Sequence, residues 1–411
     1  MAKQKRSGKK KCVVLSQYFP PDMGGAATRC DNVARGLSMS GWDVLVITGI
    51  PHYPAGPNFD RGKLRLFYKE ERDGIDILRL WMPPLAHNAY WKRLVLHAFF
   101  CFALLFAIPA SIGRKVVFAA SPNFFVMFPS FMYKLLLRAK LVRNVDDLWP
   151  EVFYELGLVK TRILRKVLDF VSRLTYKIAN SITAISPAYI DLIREKYRIP
   201  ENRLKLIEVG VDTEQFHPLE YTKEKNFVVM YSGILGILYD FRSLIEAAKS
   251  LEDIADIQIV IRGVGEELPL IESLMESYKT NNVLLDTTFV DITELNPILN
   301  TADVFVLPMV DLPSSDRGLP AKLFQYQSIG KPSLVASHGE SARYVKDTKS
   351  GVVVRPENPE ELASAIRWLY GNRREAEKMG QAGLDHVQKN LSTVGIGRRM
   401  AAVFDEVLGK Y

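Results

Sequence analysis

The chain has 411 residues, 48% hydrophobic and 24% charged, which excludes a disordered chain and points to two domains of about 200 residues each. Three widely spaced cysteines, Cys12, Cys30 and Cys101, exclude a disulfide framework or a cysteine metal cluster and fit a reducing compartment. The net charge of +8 is uneven: residues 1–140 carry 21 Lys and Arg against 8 Asp and Glu, the remainder 33 against 38, so the first third favours an anionic partner such as a membrane surface, phosphates or nucleic acid.

The tail Met1–Lys11 holds six Lys or Arg and reads either as a solubilising extension or as a membrane-surface tether. The apolar run behind it, Cys12 to Leu15, is too short for a signal peptide. Cys12–Ser16 is predicted as a buried strand, followed by the Pro/Gly loop Tyr18–Ala26. A helix then carries Ala27, Val33, Ala34 and Leu37 at helical spacing, Gly41 ends it, and Val44–Ile47 is the next strand. Strand, loop, helix and strand in that order form the unit of a parallel sheet. Further strands are predicted at Ile75–Leu80, Val116–Ala119, Ser181–Ile185 and Leu204–Ile207.

Leu94 to Ile112 is an apolar run close to the roughly 20 residues that span a bilayer, with His97 near its start, Pro109 near its end and Arg93, Arg114 and Lys115 around it. A true span would put parts of one sheet on opposite sides of a membrane, which is physically incoherent. Two readings remain: a buried core helix, or a helix partly sunk in the headgroup layer, the latter favoured by the basic flanks. Phe124–Phe131 adds a second aromatic patch, followed by Lys134, Arg138 and Lys140.

A polar linker, His217–Asn226, precedes a second alternating series. Strands are predicted at Phe227–Tyr231, Ile257–Ile261, Val283–Leu285, Val304–Leu307 and Ser333–Ala336, and helices at Phe241–Ser250, Leu268–Tyr278 and Glu294–Asn300. Both halves therefore read as doubly wound α/β domains, whose ligands lie beyond the carboxyl ends of the strands. No Gly-x-Gly-x-x-Gly follows the first strand and no Walker sequence occurs, which argues against a standard dinucleotide fold or a phosphate-loop ATPase. The pairs Gly233–Gly236 and Gly263–Gly265 each signal no more than a tight strand-to-helix turn. The most informative stretch runs from Arg317 to Pro332, where a charged loop after a strand opens into a helix with Lys322 in its first turn. Free N–H groups and the helix dipole suit such a place to a diphosphate.

Several motifs occur in a characteristic order: Ser16-Gln-Tyr-Phe-Pro-Pro21, Gly24-Gly25, Val46-Ile-Thr-Gly49, Pro51-His-Tyr-Pro54, Asp147-Leu-Trp-Pro-Glu151, Gly210-Val-Asp212, Tyr231-Ser-Gly233, Ala302-Asp303, Pro320-Ala-Lys-Leu-Phe324 and Gly330-Lys-Pro332. In these the chain resembles the family 4 retaining glycosyltransferases of GT-B fold, and is similar to the branch that adds amino sugars such as N-acetyl-fucosamine in O-antigen and capsule synthesis. The resemblance implies an α/β GT-B fold, two doubly wound Rossmann-like domains facing each other across a cleft. It divides the chain into the basic tail 1–11, an acceptor-side domain 12–212, a nucleotide-sugar-binding domain 213–388, and a C-terminal helix 389–411 packing back on the first domain.

The same resemblance implies a nucleotide-diphosphate donor, a UDP-sugar, on the second domain, a polyprenyl-linked acceptor on the first, and catalysis by electrostatic stabilisation of the leaving diphosphate without a cofactor or metal. Lys322 matches the family lysine near the diphosphate, and Leu323 lies next to it. Gly24 and Gly25 match the glycine loop facing donor and acceptor, and Phe289 and Val290 lie in the segment that meets the base. Gly233 and Gly263 are expected to border the donor, and Glu340 to accept from sugar or ribose hydroxyls or to cap the following helix. Departures are present too. Gln325 stands where the family has a ribose-binding glutamate, and Arg317 at the partner position, where it could instead meet a phosphate or a donor carboxylate. The loop Gly233–Asp240 lacks the usual cations, leaving Arg242 as substitute, and Asp146 stands where relatives carry His or Arg. Asp147, in a strand-end loop, is expected to be catalytic, with a turn-forming role as its structural alternative; His52 and His97 are expected to be structural. The expected protein is cytoplasmic and peripheral on the inner face of a membrane, with no nucleic-acid partner. Two alternatives are a catalytically idle relative in a transferase complex, for which the departures argue, and a nucleotide-sugar epimerase, which the Leu94–Ile112 run disfavours.

Overall fold

The computed structural model describes residues 8–22, 24–52, 66–85, 90–120, 124–155, 157–220 and 226–409. Most of the basic tail, Met23, Tyr53 and Pro54 of the Pro51–Pro54 motif, and the middle of the polar linker lie outside the described residues. The chain forms two units, one comprising residues 1–209 and 393–411, the other residues 210–392.

The first unit is built on an eight-stranded sheet: β1 (Lys11–Leu15), β2 (Asp43–Gly49), β3 (Phe67–Arg72), β4 (Ile75–Leu80), β5 (Val116–Ala120), β6 (Lys140–Val145), β7 (Ser181–Ala184) and β8 (Leu204–Leu206), in the order β3-β4-β2-β1-β5-β6-β7-β8. All pairings are parallel except β3 with β4. The order reverses between β1 and β5, so the crevice of this sheet opens above β1. Two strands were illegible as apolar runs. β3 is an edge strand of alternating exposed polar residues, and β6 carries the buried Arg143 and Asn144 inside its pattern. The helix Thr393–Val407 packs on the helix Gly25–Met39 through a contact that only glycine permits. A Cβ on Gly36 would lie 2.6 Å from Gly397 Cα, and one on Gly397 would lie 2.2 Å from the Gly36 backbone. Phe404 follows on the same helix, fully buried, its ring edge-on to Trp42 at 5.2 Å.

The apolar run Leu94–Ile112 divides into the helix Tyr90–Phe106 and a short turn of helix at Ile108–Ser111. Leu96, Phe100 and Leu104, spaced four apart, are buried, while Leu94, Val95, Phe102 and Phe106 are exposed. The run is therefore not a wholly buried core helix: one face completes the core and the other stays uncovered. Among the described residues no helix is long and apolar enough to cross a membrane.

The second unit is a six-stranded, fully parallel sheet of β9 (Phe227–Ser232), β10 (Ile257–Arg262), β11 (Val283–Asp286), β12 (Val304–Pro308), β13 (Ser333–Ala336) and β14 (Gly351–Val354), ordered β11-β10-β9-β12-β13-β14. β14 closes the sheet beyond the predicted series. The order reverses between β9 and β12, which puts the ligand crevice of this unit over the loops that leave β9, β10 and β12. β9 and β12 are buried throughout, as both faces of a parallel sheet require.

Candidate nucleotide-sugar site

The segment after β12 is not one loop leading into one helix, as the sequence suggested. Pro313–Arg317 forms a short helical turn, Gly318–Pro320 an extended link, and the helix Ala321–Ser328 starts afresh, with Lys322 its second residue. Arg317 thus ends one element and Lys322 opens the next. Leu323 is wholly buried and anchors the new helix, whereas Gln325 is half-exposed. The turn is fastened to the loop after β13. Asp316 accepts hydrogen bonds from Ser337 Oγ (3.3 Å) and His338 N (3.2 Å), Ser341 Oγ donates to Gly318 O (3.3 Å), and a Cβ on Gly339 would lie 1.9 Å from Asp316 O. The same loop leads into Glu340, a buried first-turn residue whose carboxylate pairs with Arg343 at 3.1 Å. Arg317 and Glu340 are therefore held on two loops joined by backbone contact.

Lys322 reaches back toward the end of β9. Its ammonium donates to Tyr231 Oη and sits 4.1 Å from the Tyr231 ring centre and 4.0 Å from that of Tyr239. Among the described residues it has no carboxylate partner, and burial holds its pKa well below the ordinary lysine range. Gly233 leaves the space this side chain fills: with φ +146, its Cβ would lie 2.8 Å from Lys322 Nζ. Gly263 (φ +142) lets the next loop approach, since a Cβ there would lie 1.8 Å from Gly233 O, and Gly265 would put one 2.1 Å from Leu235 O. Backbone bonds bind the two loops: Gly233 N donates to Arg262 O at 2.9 Å and Leu235 N to Val264 O at 3.0 Å. Gly233, Gly263 and Gly265, which looked like parts of mere tight turns, are thus the condition for two loops to lie edge to edge beside a half-buried cation.

Arg242 does not join this cluster as a substitute cation. It lies exposed in the first turn of the helix Phe241–Lys249 and hydrogen-bonds Tyr278. Phe289 is 72% exposed and Val290 half-buried, in a loop held by Arg262, which donates to Thr288 O (2.9 Å) and pairs with Asp286 at 3.0 Å. Sequence reading passed over Tyr239 and Arg262. Tyrosine and arginine at these positions carry no local signal, because the partners named here are 24 to 83 residues away.

In the first unit, Gly24 (φ 101) caps the helix that starts at Gly25, and open space surrounds a Cβ at Gly25. The preceding loop is rigidly tied. Arg79, buried, donates to Phe19 O (3.3 Å), Gly49 O (3.2 Å) and Pro20 O and pairs with Glu70 at 2.8 Å. Asp22 accepts from His52 N at 2.7 Å, and the buried His52 ring stacks on Tyr18 at 5.1 Å; burial lowers its pKa. His52 therefore has a structural setting.

Asp146 forms an interior ion pair. Arg29, wholly buried, lies 3.7 Å from its carboxylate and donates to Ile207 O (2.9 Å), Glu208 O and Asn144 Oδ1 (3.0 Å), while Asn144 Nδ2 donates to Asp146 at 2.7 Å. Burial pushes the Asp146 carboxyl up to about 7 and that of neighbouring Asp147 up to about 6. Asp147 is the second residue of the loop that leaves β6, close to Trp149, whose ring lies 4.3 Å from that of Phe153. Among the described residues no three His, Cys, Asp or Glu side chains cluster as a metal site.

Two family profiles match the chain: "Glycosyltransferase Family 4" over residues 23–215 and "Glycosyl transferases group 1" over residues 212–386. An uncharacterised glycosyltransferase of Methanocaldococcus jannaschii, MJ1069, is 21% identical across 97% of this chain and 99% of its own length. The putative colanic acid biosynthesis glycosyltransferase WcaL of Escherichia coli is 28% identical over 40% of this chain and 41% of its own. Among solved structures, Anabaena HepE in complex with UDP-glucose superposes with a TM-score of 0.70 at 15% identity, covering 96% of this chain and 99% of that one. Two profiles that abut near the boundary between the units, on sheets of doubly wound order, identify the chain as a glycosyltransferase of the GT-B fold.

Proposed function

We propose that the protein transfers a sugar from a UDP-sugar, with retention at the anomeric carbon, to a polyprenyl-linked acceptor at the inner face of a membrane, in surface-polysaccharide synthesis. The observation that carries the donor half is Lys322. A cation without a carboxylate partner among the described residues, at the amino end of a helix and beside the bare backbone of Gly233, is a site waiting for anionic oxygen. A diphosphate would restore the charge that burial disfavours, and the same interaction strengthens as the leaving group gains charge, which is catalysis by differential binding. A metal is not required for this, since the lysine and the helix end supply the positive field. HepE supports uridine through its bound UDP-glucose, and WcaL supports polysaccharide synthesis through its name.

The remaining assignments follow from placement. Gln325 would hydrogen-bond the ribose, Phe289 and Val290 would flank the base, Arg317 and Glu340 would meet the sugar from their joined loops, Gly24 and Gly25 would admit the acceptor, and Asp147 would orient its hydroxyl. The amino-sugar specificity implied by the sequence resemblance belongs to this proposal and calls for an N-acetylated donor in the assay. The uncovered apolar residues Leu94, Val95, Phe102 and Phe106 of the helix Tyr90–Phe106 support membrane association, whereas Arg114 is buried against Cys12 O and Asp43 and takes no part in it.

The test is UDP release from a panel of UDP-sugars, including N-acetylated ones, with and without an undecaprenyl-diphosphate-linked sugar, by wild type and Lys322→Ala. Release that depends on Lys322 and rises with the lipid acceptor supports the proposal. No release with any donor would favour the catalytically idle reading.

A further inference from the structure

The helix Arg162–Ile178 of the first unit leaves an unusual face to solvent. Only Ser172 and Tyr176 of its seventeen residues are buried. At about 100° per residue, Ile163, Val167, Phe170 and Leu174 fall within about 60° of one another, roughly opposite that buried pair. All four are exposed, Ile163 at 79% and Phe170 at 67%. A second row, Arg162, Lys166, Arg173 and Lys177, repeats the same kind of spacing along the adjacent flank and is also exposed. None of these four basic side chains forms an ion pair among the described residues. The helix's one acidic residue, Asp169, is turned to Lys196 (2.7 Å) and Tyr154 Oη (3.1 Å) and does not dilute the row. The helix Met127–Leu136 packs beside it and adds exposed Phe128, Leu135 and Leu136.

We propose that this helix is the docking element for an anionic lipid bilayer, its apolar row entering the acyl boundary and its basic row resting on lipid phosphates. An apolar stripe with a uniformly positive flank complements that surface in both polarity and charge, and a long amphipathic helix lying in the interface plane is the physical form such binding takes. An ordinary protein partner would have no need of four unpaired cations beside one apolar row. The inference deepens the membrane-associated reading given above and places the contact on a helix distinct from the Leu94–Ile112 segment.

The full chain is to be sedimented with vesicles of phosphatidylcholine alone or mixed with phosphatidylglycerol. Two variants are compared with wild type: Ile163→Glu with Phe170→Glu, and Gln at all of Arg162, Lys166, Arg173 and Lys177. Wild type should bind the anionic vesicles and not the neutral ones. The glutamate pair should lose binding at least tenfold, and the glutamine set by about a hundredfold at low salt. Because all six positions are exposed, the unfolding midpoint and the thermal shift given by a UDP-sugar should be unchanged in both variants. Anionic-vesicle binding that survives both variants but is lost on changing Leu94 and Phe102 would overturn this inference and leave the membrane reading standing. Absence of vesicle binding, with a wild-type oligomer that the glutamate pair dissociates, would overturn it in favour of a protein interface. The UDP-sugar shift reports on the donor site independently of either result.

Discussion

Lys322 is held where its own charge is disfavoured, and that tension is what gives it a use. Its ammonium has two aromatic faces and a phenol hydroxyl for company, which satisfy it weakly, so an incoming diphosphate gains most of the available interaction. Lys322→Ala should lower kcat by about 10²- to 10³-fold, the range found for losing one oxyanion donor, with the fold retained in circular dichroism. Tyr231→Phe keeps the ring and deletes only the hydroxyl, so steady-state kinetics should show a loss of about tenfold or less. Asp146 and Asp147 together give the first unit a pH dependence. Their folded pKa values, raised to about 7 and about 6, lie above the unfolded values, so the folded state holds the extra protons. That contribution is present in full below the unfolded pKa and is lost as pH rises through about 6 and then about 7. Denaturant titrations between about pH 4 and 7 should show the decline in wild type, and Asp147→Asn should reduce its slope below about pH 6 while leaving the part due to Asp146.

At the scale of elements, glycine decides which pieces can touch. The crossing of Gly25–Met39 with Thr393–Val407 is made backbone to backbone at Gly36 and Gly397. A methyl at either position must push the helices apart and disturb Phe404 below them. Gly397→Ala should destabilise the protein by about 1–3 kcal/mol, read as a fall in the denaturation midpoint. Gly233 and Gly263 do the same for the loops of the proposed donor site, where the expected consequence is functional. An alanine at Gly233 meets the Lys322 side chain, which can swing aside, so binding should weaken more than stability falls. Comparing the UDP-sugar thermal shift with the ligand-free midpoint would separate the two effects.

For the whole molecule, the two sheets were legible because parallel strands buried on both faces read as uninterrupted apolar runs, and eleven of those runs were recovered within a residue or two of their observed limits. β3, β6 and β14 were not: an exposed edge strand and a strand with an interior arginine lack that signature, and β14 is a four-residue edge strand only half-buried at three of its positions. A ligand that binds only the folded chain stabilises it, by about 2.7 kcal/mol at a hundred times its Kd, so at equal concentration the UDP-sugar giving the largest rise in unfolding midpoint should be the one with the lowest Kd in calorimetry.

Local pattern alone determined the alternation of strand and helix and the lysine at a helix start after β12, because each of these depends on residues within a few positions of one another. Only the tertiary structure decided that Lys322 lies between two tyrosines with no acid beside it among the described residues, that Arg242 turns away to Tyr278, that Asp146 is matched to Arg29, and that the helix Arg162–Ile178 is left with an apolar face uncovered. Charge partners and coverage are set by segments distant in the chain, and no local periodicity records which of them will arrive.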